Sequence, residues 1–234
     1  VNKTTAELID RCMYTCKSVP NSNYILFTDD EVDRFVASKY PRFISTFSKY
    51  DNIMRNEAAR ILLLLYYGGL YLDCDIMINP DFNGIEHIPI SMDTIFEEYP
   101  VMSLPRCTES IRSFCNSAMY FSKGSPFLKY IYNKLSTGMV DDTTPGDNSK
   151  ILYVTGPGMI TRESYRYLQT YPTRLNIMSN KYFEYDDVQT RHSMIRNNNI
   201  TFNTDSIGVH FSIGSWLRCE KSVRGTTGVG SFVG

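Results

Sequence analysis

The sequence predicts a single α/β domain. Segments with helical periodicity, such as residues 5–17 and 55–67, alternate with short apolar segments typical of buried strands, such as residues 24–27 and 70–78. The 234 residues are enough to enclose one full hydrophobic core. Hydrophobic residues make up 42% of the chain and charged residues 21%, values that indicate an ordinary globular protein.

The first part of the chain is predicted to form a helix–strand–helix unit. The strand covers residues 24–27 and is followed by a helix over residues 31–40. Thr28 or Asp29 can cap that second helix, because short polar side chains accept hydrogen bonds from the first free N–H groups. The first helix, residues 5–17, is amphipathic and places these residues on one face: Leu8, Ile9, Cys12, Met13 and Cys16.

The central stretch, residues 55–78, is predicted to form a helix and then a strand. Good helix formers and an apolar run over residues 61–65 predict the helix. Gly68 and Gly69 end it, since glycine adopts the left-handed conformation at little cost. Residues 70–78 follow as one buried strand.

Two carboxylates, Asp73 and Asp75, interrupt that strand. Because one residue separates them, an extended chain points both side chains to the same side. Burying two like charges together is costly unless a cation lies between them. A hard divalent cation prefers carboxylate oxygens, so the pair predicts a metal site.

The second half of the chain is less regular. A strand is predicted over residues 114–121, and Pro126 begins a helix that extends to about residue 135. Residues 138–149 are polar and predict a surface loop. No element is assigned to residues 182–199.

Three further segments complete the chain. Gly156 and Gly158 allow a tight backbone beside a ligand before a helix over residues 161–168, although a plain strand-to-helix turn explains them equally well. His210 lies in an apolar stretch near the C-terminus and could supply a nitrogen to the metal, although a hydrogen-bonded strand histidine is the commoner role for such a residue. Residues 224–234 are rich in glycine and predict a disordered tail, which leaves residues 1–223 as the domain.

These motifs resemble the family 32 glycosyltransferases, whose sugar-binding region contains a DXD motif. The family pattern is Ser-Asp-x-x-Arg, an apolar helix, and Gly-Gly-x-Tyr-x-Asp-x-Asp. Here Asn56, Glu57 and Arg60 precede the apolar run of the helix, and residues 68–75 complete the pattern with the same spacing. The departure is at Asn56-Glu57, where glutamate keeps the carboxylate but adds a methylene. Softer matches cover residues 116–127, 155–158 and 210–216.

The resemblance implies a GT-A fold, a mainly parallel mixed sheet flanked by helices, here lacking the family's first strand. It implies that Asp75 binds Mn²⁺ or Mg²⁺ directly, with Asp73 and His210 completing the metal shell. Arg60 and Glu57 would hold the donor sugar, and Arg60 joins the two aspartates as a catalytic residue. The other implied donor-binding residues are Asn56, Tyr71, Asn116, Gly156, Ser215 and Trp216.

The resemblance also implies the reaction. Family members retain the anomeric configuration and include initiating α-1,6-mannosyltransferases and α-1,4-galactosyl and GlcNAc transferases. The expectation is a transferase that moves a hexose from GDP-mannose or a UDP-sugar to a glycan or glycolipid. A non-catalytic module that binds a divalent ion and sugar stays open. A glycoside hydrolase is disfavoured, because Asp73 and Asp75 are too close in sequence to flank a scissile bond.

Composition excludes some partners and leaves the compartment open. The formal net charge is −1 without a basic block, which argues against nucleic-acid binding. No stretch has membrane-spanning length and no signal peptide is visible, so we expect a cytoplasmic protein or, if an N-terminal anchor was removed, a Golgi lumenal one. The six cysteines lack C-x-x-C spacing and favour reduced thiols, with disulfides open. His87 and His192 are interpreted as surface residues.

Overall fold

The computed structural model describes residues 3–83, 93–98, 113–137, 153–183, 188–203, 205–213 and 229–233. Its helices are α1 Lys3–Lys17, α2 Asp29–Lys39, α3 Ile44–Phe47, α4 Asn52–Tyr67, α5 Pro126–Ser136, α6 Pro157–Thr170 and α7 Val188–Asn197, with a 3₁₀ turn over Asn180–Tyr182. Its strands are β1 Tyr24–Phe27, β2 Gly69–Leu72, β3 Ile76–Ile78, β4 Thr94–Glu98, β5 Ser113–Phe121, β6 Asn176–Met178, β7 Gly208–His210 and β8 Val229–Val233.

Most of the predicted helices and strands are confirmed to within a few residues. Thr28 caps α2 in a full capping box, in which its side chain and that of Glu31 each accept from the other's backbone N–H. Ser125 caps α5, and Pro126 occupies the first turn of that helix. Within the described residues, no helix is both long enough and apolar enough to cross a membrane.

The main sheet is mixed. Its six described strands have the order β1-β8-β2-β5-β4-β6. Four strands, β1, β2, β4 and β6, run in one direction, but β8 and β5 run the opposite way between them. The sheet is therefore only partly parallel, with β4 and β6 as its parallel pair among the described residues, whereas the resemblance implied a mainly parallel sheet.

The end of the chain differs from its prediction. Val229–Val233 form β8, where the sequence predicts a disordered tail. Val233 pairs with Tyr24 on one side and with Leu70 on the other, so β8 is an inner strand. Pairing on both edges satisfies its backbone N–H and C=O groups, and this outweighs the flexibility that the glycines add.

The predicted strand over residues 70–78 is wrong in one respect, because it is two strands. β2 belongs to the main sheet, whereas β3 pairs with β7 in a separate two-stranded sheet. The chain turns between them, and the N–H of Ile76 donates to the carbonyl of Asp73 at 3.1 Å. The N–H of Asp73 donates to Ser117 O at 2.7 Å, which anchors the start of the turn to β5.

Helix α4 is the centre of the core and brings the chain to β2. Its residues 58–65 are all buried. The helix ends at Gly68, which has a φ of 75°. A Cβ at this position would lie 2.6 Å from the backbone nitrogen of Lys123, so both backbone conformation and space require glycine. This close approach sets α4 directly against the end of β5.

Candidate active site

Three side chains converge where β2, β3 and β7 meet. Asp73, Asp75 and His210 each offer one ligand atom, and these atoms lie within 4.8 Å of one another. Asp75 and His210 are brought together because Ile76 pairs with His210 across the β3–β7 ladder. The two carboxylates converge as predicted, but they do so through the turn after β2 and not through alternation along one extended strand.

Asp75 contacts both His210 and a backbone N–H group. Its Oδ1 lies 3.3 Å from His210 Nε2, and its Oδ2 accepts from the N–H of Ile213 at 2.9 Å. Burial raises the pKa of Asp75, but His210 and the backbone N–H groups outweigh burial and hold that pKa below its usual range. Ser212 has a φ of 49°, a left-handed conformation just before the Ile213 N–H that Asp75 binds.

Asp73 has a different environment. Its Oδ1 accepts a hydrogen bond from the Tyr71 hydroxyl at 2.8 Å and lies 3.2 Å from Arg60 Nη1. Burial raises the pKa of Asp73, with the nearby charge of Asp75 acting in the same direction and Arg60 acting against it. Adjacent carboxylates therefore have pKa values that are shifted in opposite directions, which is common at functional sites.

Arg60 is a buried cation behind the DXD turn. Its side chain is 9% exposed, and Nη1 donates to the carbonyl of Asn116 at 2.7 Å. Nη2 lies 3.4 Å from Glu57, and the guanidinium carbon lies 5.1 Å from the centre of the Tyr71 ring. Arg60 and Glu57 are three residues apart on α4, but their ion pair is buried and is not an ordinary exposed helix pair.

Glu57 and Asn116 face each other between α4 and β5. The Asn116 side-chain amide donates a hydrogen bond to Glu57. Burial raises the pKa of Glu57 to about 7, against the lowering effects of Arg60 and Asn116. Glu57, Arg60, Tyr71 and Asn116, each predicted as a site residue, thus form one connected network that ends at Asp73.

A family model matches the part of the chain that contains the DXD turn, Glu57, Arg60 and Tyr71. Residues 5–102 match the family model described as a glycosyltransferase sugar-binding region containing a DXD motif. The match covers less than half of the 234 residues; it includes both aspartates, whereas Asn116 and His210 lie outside it.

Curated relatives agree with the family. The chain is 31% identical over 139 residues to inositol phosphoceramide mannosyltransferase 3 of Schizosaccharomyces pombe. The matched segment covers 59% of this chain and 35% of that protein. It is 44% identical over 57 residues to mannosyl phosphorylinositol ceramide synthase CSH1 of Saccharomyces cerevisiae, covering 24% of this chain and 15% of that protein. The chain therefore spans about a third or less of the length of these relatives. No solved structure matches it significantly.

Several predicted site residues lie elsewhere. Asn56 is half-buried on α4, and no described contact joins it to the DXD network. Gly156 is the N-cap of α6, which is tied to β5 by a hydrogen bond from the Phe114 N–H to Thr161 Oγ1 at 2.8 Å. No described contact links Gly156 to the aspartates. Outside the described residues lie Ser215, Trp216 and His87, and the side chain of His192.

Two serines that contact the His210 ring are not among the site residues that the sequence predicts. Ser117 Oγ lies 3.3 Å from His210 Nδ1, and Ser212 Oγ lies 3.4 Å from the same atom. Ser117 in turn lies 2.5 Å from Cys115 Sγ. Side chains on a strand alternate between its two faces. Because Asn116 faces the α4 network, residues 115 and 117 must face the other side of β5, and this alternation could have indicated them.

The side chains of Asp73, Asp75 and His210 suit a divalent cation. Two carboxylates and one imidazole are ligands that Mn²⁺ and similar ions accept. Burial raises the pKa of Asp73, and the charge of Asp75 acts in the same direction, with Arg60 acting against both. A divalent cation bound between the two carboxylates would favour their charged forms, so the residues present suit such an ion.

Proposed function

We propose that this chain is a metal-dependent, retaining glycosyltransferase of the GT-A type, which transfers a hexose from a nucleotide-diphospho-sugar to a glycolipid or glycan. The observation that carries the proposal is the convergence of Asp73 and Asp75, which lie in the matched DXD region, with His210 from β7, with ligand atoms within 4.8 Å of one another. The mixed sheet, with the DXD turn at the carboxyl end of β2, supports the proposed fold type.

Mannose is the proposed sugar. The relatives reported above are named as a mannosyltransferase and a mannosyl phosphorylinositol ceramide synthase. Their names also support a sphingolipid that carries an inositol phosphate as the acceptor class. GDP-mannose is therefore the first donor to test, and UDP-sugars are the alternative.

Each residue of the network has a proposed role. Asp75, Asp73 and His210 would hold Mn²⁺ or Mg²⁺. The ion, when bound, would offset the negative charge that develops on the leaving diphosphate, an effect of several kcal/mol in metal-assisted reactions. Arg60 holds the Asp73 carboxylate in place and keeps a positive charge beside it.

Glu57 and Asn116 are proposed to contact the donor sugar. They lie between α4 and β5 and contact Arg60, which in turn contacts Asp73 of the DXD turn. A carboxylate and an amide can together accept from and donate to sugar hydroxyls. No catalytic nucleophile stands out in the sequence, which suits retention by transfer on the front face of the sugar without a covalent intermediate.

The test is a donor panel with the 234-residue chain, scored by release of nucleotide in the presence of Mn²⁺. Asp75→Asn should abolish release, whereas the matched control Asp81→Asn, an exposed aspartate in the turn after β3, should retain it. Activity that persists in excess EDTA would contradict a metal-dependent transferase.

A thermal-shift measurement separates the transferase from a binding module. Ligand at about a hundred times its dissociation constant stabilises the folded state by roughly 2.7 kcal/mol. For a chain of this size that is a shift of roughly 5–10 °C. Mn²⁺ and GDP, or Mn²⁺ and UDP, added together should produce this shift. Mn²⁺ alone or nucleotide alone should produce a much smaller one. Binding of metal and glycan without nucleotide affinity would favour the non-catalytic module.

A further inference from the structure

The Ser117 hydroxyl contacts the His210 ring at Nδ1, the nitrogen that does not face Asp75. Ser117 Oγ is 3.3 Å from His210 Nδ1, while Nε2 of the same ring is 3.3 Å from Asp75 Oδ1. Ser117 is 3% exposed and His210 is 8% exposed, so bulk water competes little for either contact. The two ring nitrogens therefore have separate protein partners.

The Ser117 hydroxyl is itself held in place. Its Oγ lies 2.5 Å from Cys115 Sγ, and the N–H of Ser117 donates to the same sulfur at 3.3 Å. The carbonyl of Ser117 accepts from the N–H of Asp73 at 2.7 Å. Ser117 therefore contacts the histidine with its side chain and the DXD turn with its backbone.

A hydroxyl suits this position because it can donate one hydrogen bond and accept others. When Nε2 of a neutral histidine binds a metal ion, the ring carries its proton on Nδ1, and that proton needs an acceptor. Ser117 Oγ is a buried acceptor at that place. Ser212 Oγ, at 3.4 Å, is a second one, but it belongs to an exposed residue.

We propose that Ser117 is a positioning residue for the metal ion: it holds the His210 ring and accepts the Nδ1 proton, so that Nε2 faces the ion beside Asp73 and Asp75. This inference rests on the proposed function, which places a divalent cation at the DXD motif. Without the hydroxyl, the ring loses its buried acceptor at Nδ1. The tautomer with the proton on Nε2 is then favoured, and that proton blocks ligation.

The first measurement is binding of Mn²⁺ alone to the full 234-residue chain, followed by the electron paramagnetic resonance signal of free Mn²⁺. Partners behind a metal ligand are typically worth about 10- to 100-fold in metal affinity, so Ser117→Ala should weaken binding by about 10-fold or more. Ser117→Thr keeps the hydroxyl and should restore most of the affinity. The matched control is Ser113→Ala on the same strand, since Ser113 is buried and its hydroxyl has no hydrogen-bond partner among the described residues.

The second measurement is the tautomer of His210, read from the nitrogen-15 shifts of its ring with Mg²⁺ present. His210→Ala identifies these signals among the three histidines of the chain. In the wild type the proton should be on Nδ1, and in Ser117→Ala it should shift towards Nε2. A serine with a purely structural role would lower the melting temperature without moving the tautomer, and that result would overturn the proposal.

The outcomes separate this inference from the proposed function. If Asp75→Asn loses Mn²⁺ while Ser117→Ala binds it as the wild type does, the role of Ser117 is overturned and the metal site stands. If the wild type binds no Mn²⁺ either alone or with GDP or UDP present, both are overturned. Should circular dichroism show that Ser117→Ala is unfolded, Ser117→Cys replaces it, because a thiol keeps the volume but is a weaker acceptor. Unchanged Mn²⁺ binding by Ser117→Cys would then count against the proposal.

Discussion

Arg60 Nη1 lies 3.2 Å from Asp73 Oδ1, so a buried ion pair ties the middle of α4 to the turn that carries the DXD motif. The same nitrogen donates to the carbonyl of Asn116 and thereby joins β5 to the pair. Removing one partner of a buried ion pair leaves the other charge without compensation. Arg60 therefore supports the shape of the site as well as its charge.

Arg60→Ala should destabilise the protein and abolish transfer. It leaves Glu57 and Asp73 buried without their cation, which typically costs about 3–5 kcal/mol. The matched control on the same helix is Arg55→Ala, whose partner Asp33 is 46% exposed, and there the cost should be about 1 kcal/mol or less. Urea denaturation measures both values, and equal losses for the two variants would contradict the role of Arg60.

Tyr71→Phe tests the hydroxyl that donates to Asp73. The substitution removes that hydrogen bond but keeps the ring against the Arg60 guanidinium. Hydrogen bonds to charged groups contribute about 1.5–3 kcal/mol, so the unfolding free energy should fall by about that amount. Tyr120→Phe on β5 is the control, because the described residues offer its hydroxyl no hydrogen bond, and it should be nearly neutral. A Tyr71→Phe protein as stable as the wild type would show that water replaces the hydroxyl.

Much of this architecture could be predicted because it depends on local signals. The glycine pair after α4 requires a left-handed turn, and the sequence shows it directly. The sequence indicates the two carboxylates, and the family resemblance implies roles for Arg60, Glu57 and Asn116; the structure joins Asp73 with these three in one network.

The features that could not be predicted depend on contacts between distant parts of the chain. The break between β2 and β3 follows from a backbone hydrogen bond between Asp73 and Ser117, 44 positions away by the sequence numbering. The position of β8 between β1 and β2 likewise depends on strand pairing, which overrides a glycine-rich composition. Cys115 and Ser117 look like ordinary core residues until His210 is placed beside them.

The buried Glu57 should make stability depend on pH. Burial raises the pKa of Glu57 to about 7 in the folded state, with Arg60 acting against this shift and Asp73 adding to it. An ordinary glutamate has a pKa of about 4.3. The folded state thus binds this proton more tightly than the unfolded chain, so the contribution of Glu57 to stability is present at low pH and is lost as pH rises from about 4 to about 7. Glu57→Gln should remove that loss, an effect on the order of 3 kcal/mol at about 1.4 kcal/mol per pKa unit.

Glu163 is the matched control for this pH effect because its sign is opposite. Burial raises its pKa, but hydrogen bonds from Arg162 and Tyr130 and the charge of Arg166 outweigh burial and lower it. Its contribution is therefore present above the ordinary glutamate pKa and is lost as pH falls. Unfolding free energies at several pH values should show Glu57→Gln gaining on the wild type with rising pH and Glu163→Gln falling behind it. Parallel curves for the two variants would contradict the environment described for Glu57.

Gly208→Ala tests whether the close contact of β3 and β7 positions the metal ligands. A Cβ at Gly208 would lie 2.6 Å from the carbonyl oxygen of Met77, and backbone at that distance must move. Overpacking of this kind costs about 1–3 kcal/mol. Because His210 is two residues further along β7 and pairs with Ile76, the movement should also separate His210 from Asp75 and weaken Mn²⁺ binding.

Gly124→Ala is the control. A Cβ at Gly124 meets only the end of the Lys129 side chain, at 3.7 Å, so the strain of this variant comes from the backbone φ of 72°. That control should lose about 1 kcal/mol of stability and keep its Mn²⁺ affinity, because Gly124 lies in the turn before α5. If Gly208→Ala loses stability but binds Mn²⁺ as tightly as the wild type, the β3–β7 spacing does not set the geometry of the site.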